Sequence, residues 1–140
     1  MRFMMLMIPK GYETAKAGAL PDAKMVSAMT KYNESLQKAG VLLALDGLHP
    51  PSMGARVTWK GGKPKVTDGP FAEAKEVLGG YWMIQVRSKE EAIEWARRCP
   101  ASEHQTLEIR QVQEMADFPP DVQKAAAGFE DLQPKAGRRK

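Results

Sequence analysis

Apolar side chains run unbroken from Phe3 to Ile8 and stop at Pro9, which predicts a strand over residues 2–8 covered on both faces. Pro9, Gly11, Gly18 and Pro21 mark residues 9–21 as a loop. Beyond it Met25, Met29, Tyr32, Leu36 and Ala39 recur at spacings of four, three, four and three, one stripe of an amphipathic helix. Asp22 is placed to cap its start, and Gly40 stands where a helix C-terminal glycine belongs. Val41 to Leu45 reads as a second apolar strand, broken by Asp46-Gly47-Leu48-His49-Pro50-Pro51.

A hairpin follows, with Gly61-Gly62 as its two-residue turn between Ala55–Lys60 and Lys63–Thr67. Pro64 lacks a ladder donor and makes the return strand short or peripheral. The run Thr67-Asp68-Gly69-Pro70-Phe71 predicts a sharp strand-to-helix turn, with Pro70 early in a short helix near 71–77. Gly80 to Arg87 is a strand with Tyr81, Met83 and Gln85 on one face and Trp82, Ile84 and Val86 on the other. Ser88-Lys89-Glu90-Glu91 is a capping box for a helix ending before Pro100. Thr106 to Gln113 is the last strand, and a weak helix capped by Asp121 reaches Ala127.

Stripped of the hairpin, the order is βαββαβ, an α+β, ferredoxin-like plan with both helices on one face of an antiparallel sheet. A domain over residues 1–115 and a partly flexible C-terminal extension over 116–140 are expected. The second sheet face needs cover, and a homodimer packed sheet to sheet supplies it.

Composition narrows the picture little: 140 residues, 43% hydrophobic and 27% charged, suit one globular domain. The net charge of +4 falls mostly on Lys135, Arg138, Arg139 and Lys140, so the domain itself gives little sign of nucleic-acid binding. Neither the first strand nor the Tyr81–Val86 strand carries the aromatic motif of RNA-recognition modules, so a nucleic-acid partner is not expected. The N-terminal apolar run is too short for a membrane span, and one cysteine, Cys99, cannot build a disulfide framework. A cytoplasmic protein without a membrane partner is the expectation. Two histidines without ligand spacing, and no phosphate loop, leave no metal or cofactor expected.

Asp68 is the first candidate for chemistry: beside a sheet–helix pocket it would serve as a general acid or base, and otherwise it caps its own turn. His49, in a proline-flanked loop, is a second catalytic candidate, able to pair with Asp68 or Asp46, or else an exposed loop residue. Arg56, Glu73, Lys75 and Tyr81 are candidate ligand contacts around the same pocket; Glu73 and Lys75 equally suit a solvated face. Cys99, near a helix C-terminus, reads as a packed thiol.

Several motifs together carry a resemblance: Ala39-Gly40-Val41-Leu42 with Asp46-Gly47-Leu48, Val66-Thr67-Asp68-Gly69-Pro70-Phe71, Gly79-Gly80-Tyr81, and Glu91-Ala92-Ile93-Glu94-Trp95-Ala96 with Pro100. Over residues 1 to about 115 the chain resembles the YCII-related proteins, in the branch named for its Asp-Gly-Pro-Phe motif. The resemblance implies a dimeric α/β barrel with a pocket between sheet and helices. Some relatives use a His-Asp pair with the His on the first helix; by position from Gly40 that His falls near Met29 here, so the pair does not transfer. The branch is also associated with extracytoplasmic-function sigma factors. Two functions follow: a metal-independent enzyme using Asp68 on a small polar or aromatic metabolite, or a non-catalytic ligand-binding or regulatory partner in sigma-factor signalling.

Overall fold

Alternation along the first strand decides the architecture. In the computed structural model, which describes residues 1–18 and 20–133, β1 (Arg2–Pro9) buries Phe3, Met5 and Met7 and leaves Met4, Leu6 and Ile8 half-buried on the other face. The remaining main strands are β2 (Leu42–Gly47), β5 (Gly80–Gln85) and β6 (Gln105–Gln111), and they join β1 in an antiparallel sheet of order β2-β5-β1-β6. That is the ferredoxin-like order, with α1 (Ala23–Lys38) and α2 (Lys89–Arg97) as its crossovers. The sheet is open and does not close into a barrel on its own.

Register sets the core. Met5 lies opposite Trp82 on one side and Ile109 on the other, and Phe3 opposite Ile84, so one apolar face forms beneath the helices. Tyr32 and Leu36 of α1 and Ala92 of α2 are buried against it. The Tyr32 ring stands edge-on to Trp82, with centroids 5.9 Å apart, and its hydroxyl donates to the Trp95 carbonyl at 2.7 Å. One side chain thus ties both helices to the sheet.

The predicted caps hold. The Asp22 carboxylate accepts from Met25 N–H at 2.8 Å, and Gly40 takes φ of 74°. Ser88 Oγ accepts from Glu91 N–H at 3.1 Å, while the Glu91 carboxylate reaches back to Arg87 N–H at 2.8 Å, one residue further than a standard box. Strands β3 (Ala55–Lys60) and β4 (Lys63–Asp68) form the hairpin, with Gly61 and Gly62 at φ of 59° and 76° in its turn. It is a separate two-stranded sheet, and every one of its strand residues is exposed.

The helix expected near 71–77 is absent. Residues 71–79 are irregular, with one turn closed by Ala74 N–H to the Phe71 carbonyl at 3.1 Å. A segment this short bears the full nucleation cost of a helix, and here it has no buried apolar face to offset it. The Gly69–Pro70 peptide is cis, and Pro70 begins no helix. Past β6, two short helices follow, α3 (Pro120–Ala125) and α4 (Phe129–Leu132). Pro119, not Asp121, is the residue preceding α3. The basic cluster Lys135–Lys140 lies outside the described residues.

Candidate functional site

The end of the sheet where β2 finishes and β5 begins is bounded by α1 above and by Pro9, Tyr12, Leu20, Pro21 and residues 47–49 in front. Between them lies a cavity of about 660 Å³, within the range of about 300–1,000 Å³ usual for small-molecule sites. Its floor is Met7, Leu45 and Trp82, with backbone from Gly79 and Gly80. Met25, Val26, Met29 and Asn33, at helical spacing, bring α1 down as one wall. Tyr12 closes a side, its hydroxyl donating to the Leu48 carbonyl; burial raises its pKa.

Glycines make this geometry possible through close approach. A Cβ on Gly79 would sit 2.6 Å from Pro9 Cγ, and one on Gly80 3.0 Å from the Asp46 carbonyl oxygen. The Gly-Gly pair therefore lets the start of β5 run hard against β2 and the end of β1.

Hydrogen bonds fix the polar lining. Trp82 Nε1 donates to Asn33 Oδ1 at 2.7 Å, anchoring the floor to the α1 wall. Thr30 Oγ1 donates to the Val26 carbonyl at 2.8 Å within α1. Gln105 Oε1 accepts from Ser102 N–H at 2.9 Å. The Cys99 thiol lies 4.0 Å from the Met29 sulfur, and burial pushes it up to about 11. A thiol so shifted stays protonated at neutral pH, as expected for a packed cysteine.

The sequence candidates scatter around this cavity. His49 and Tyr81 line it. Tyr81 lies opposite Leu6 and Asp46 in the register, on the face away from the helices, and its hydroxyl donates to the Asp46 carboxylate at 2.7 Å. His49 makes no hydrogen bond or ion pair with Asp46 or Asp68 among the described residues. Arg56 lies over the Phe71 ring, 4.0 Å from its centroid, and both border a more open groove with His49, Pro50 and Glu76. Asp68, at the end of β4, is exposed and lines neither the cavity nor the groove. Its carboxylate has no hydrogen-bond or ion-pair partner among the described residues, so it does not cap its turn. Glu73 and Lys75 are also exposed and outside both depressions.

Sequence reasoning passed over Asn33. A signal was present, since a buried tryptophan needs an acceptor for its N–H and Asn33 follows Tyr32 on the helix above Trp82. Met29, the position marked by the resemblance for a histidine, does line the cavity, but as a thioether. Among the described residues no group of three or more His, Cys, Asp or Glu side chains is arranged to hold a metal. No described helix is long and apolar enough to cross a membrane.

Fold and cavity together define a ferredoxin-like α+β domain with a ligand-sized space between its sheet and first helix. The chain belongs to the YCII-related domain family, whose profile matches residues 1–116. It is also 33% identical over 76 residues to an uncharacterised protein of Rhizobium meliloti (strain 1021), a match covering 54% of this chain and 61% of that protein.

Proposed function

We propose that this protein binds a small molecule in the cavity between α1 and the end of the sheet. The observation that carries the reading is a half-open cavity of ligand size with a mainly apolar lining and few polar groups, the usual make-up of a small-molecule site. Where the bound molecule is turned over, His49 is the proton-transfer group, because it brings an imidazole, a common general acid–base group, to the border of the cavity. An acid–base role for Asp68 has less support, given its exposure outside the cavity. Membership of the Asp-Gly-Pro-Phe branch is part of the same reading, supported by the run from Asp68 to Phe71. So is a homodimer, supported by the half-buried apolar residues Met4, Leu6 and Met83 on the sheet face opposite the helices.

The test is a thermal-shift screen of small metabolites on the full chain, with hits confirmed by quenching of tryptophan fluorescence. Met25→Trp, which fills the cavity from its rim, is expected to abolish every genuine hit. Hits that survive this substitution would place binding elsewhere and defeat the proposal.

A further inference from the structure

No lysine or arginine among the described residues lines the cavity. Asp46 is the one carboxylate there, and it is engaged by Tyr81. An anionic ligand entering this space would lose part of its hydration and meet no lysine or arginine, which is costly in an apolar surround. The exposed His49 imidazole is the one group on the described lining able to carry positive charge.

Trp82 Nε1 is a donor only, so the Asn33 atom 2.7 Å away must be its oxygen, which fixes the orientation of that amide. The Asn33 nitrogen is then a two-proton donor without a partner among the described residues. Gln105 repeats the arrangement: its oxygen accepts from Ser102 N–H, leaving its nitrogen unpaired among the described residues. The hydroxyls of Tyr12 and Thr30 already spend their protons on the backbone carbonyls of Leu48 and Val26. Apart from the exposed His49 imidazole, what the lining offers a newcomer is therefore amide N–H donors on a wall of thioether, indole and aliphatic groups.

We infer that the ligand is an uncharged, largely apolar molecule bearing an accepting oxygen of the ketone, ester or amide type. The Asn33 side-chain amide receives that oxygen, with the Gln105 amide as a second donor. This inference rests on the cavity being the binding site.

Two fluorescent dyes of similar size separate the possibilities: the neutral ketone 6-propionyl-2-(dimethylamino)naphthalene and the anionic 1-anilinonaphthalene-8-sulfonate. The ketone is expected to bind at least about tenfold more tightly, with a blue-shifted emission. Asn33→Asp keeps the acceptor for Trp82 but removes the donors, and is expected to weaken the ketone by at least about tenfold. Gln105→Glu makes the same exchange at the second donor and decides the matter if the first variant does not fold. Equal or tighter binding of the sulfonate, or unchanged ketone binding in both isosteric variants, would overturn the ligand class. If Met25→Trp still blocks the dyes in that case, the site itself stands. If neither dye binds, or Met25→Trp changes nothing, the cavity reading fails and this inference with it.

Discussion

A Cβ built on Gly69 would lie 1.6 Å from the carbonyl oxygen of Pro51. The backbone after β4 is pressed onto the 50–54 loop, where Gly69 N–H also donates to the Gly54 carbonyl at 2.9 Å. The glycine of the Asp-Gly-Pro-Phe run is thus required by contact, and no unusual φ is involved. Gly69→Ala is expected to destabilise the protein by about 2 kcal/mol or more in urea unfolding. A loss below about 0.5 kcal/mol would show that the loop yields freely.

The neighbouring acid behaves differently. Asp68 is exposed and unpaired among the described residues, so Asp68→Asn is expected to change stability by less than about 0.5 kcal/mol. Denaturant unfolding of the two proteins side by side checks this. A loss above about 2 kcal/mol would reveal a turn-holding role absent from this geometry.

Cys99 offers a chemical test of packing. Burial pushes its thiol up to about 11, so far less of it is thiolate than in an unfolded chain. Its reaction with a disulfide reagent at pH 8 is expected to run about 100-fold slower than that of an unfolded control. Comparable rates would mean that the α1–α2 contact opens readily.

Arg2 and Glu114 join the first strand to the segment after the last through two hydrogen bonds of 2.7 and 3.0 Å. The bond from Arg2 holds the Glu114 carboxyl below its ordinary value. The stability this provides is present above the unfolded carboxylate pKa and is lost as pH falls through the lowered folded one. Both side chains are partly exposed, so Glu114→Gln is expected to cost no more than about 1 kcal/mol at pH 7. The gap between variant and wild type should close towards pH 3; a gap that persists there would assign the effect to packing.

The open sheet face makes the fifth prediction. Leu6 lies between Tyr81 and Glu108 on that face, so Leu6→Glu is expected to weaken self-association at least about 100-fold while the helix-covered core stays intact. Light scattering on wild type and variant reads this directly. A wild-type monomer at micromolar concentration would remove the dimer from the picture.

Much of this fold can be read in the chain because its elements obey local rules. The alternation of Phe3, Met5 and Met7, the Asp22 and Ser88 caps and the Gly61-Gly62 turn each act within a few residues. What escaped depends on distant surfaces. No local signal says that Gly69 meets Pro51, or that the hairpin stands off the sheet and carries Asp68 away from the cavity. The charged run at 73–76 suits a helix by propensity, yet it buries no side chain fully and so gains too little from packing to make one. Of the site candidates, His49 and Tyr81 reach the cavity because His49 follows the end of β2 and Tyr81 lies at the start of β5, and those two strand termini pair beside the floor.

The β3–β4 hairpin also gives the experimenter a handle. Trp59 and Val66 are 69% and 66% exposed, and the Gly61-Gly62 tip is the turn of a ribbon paired to no other strand among the described residues. A reporter peptide or a labelling cysteine inserted at that tip meets a segment on which neither the sheet nor the cavity leans. The protein can therefore be immobilised or labelled by its hairpin while the cavity beside α1 is left clear.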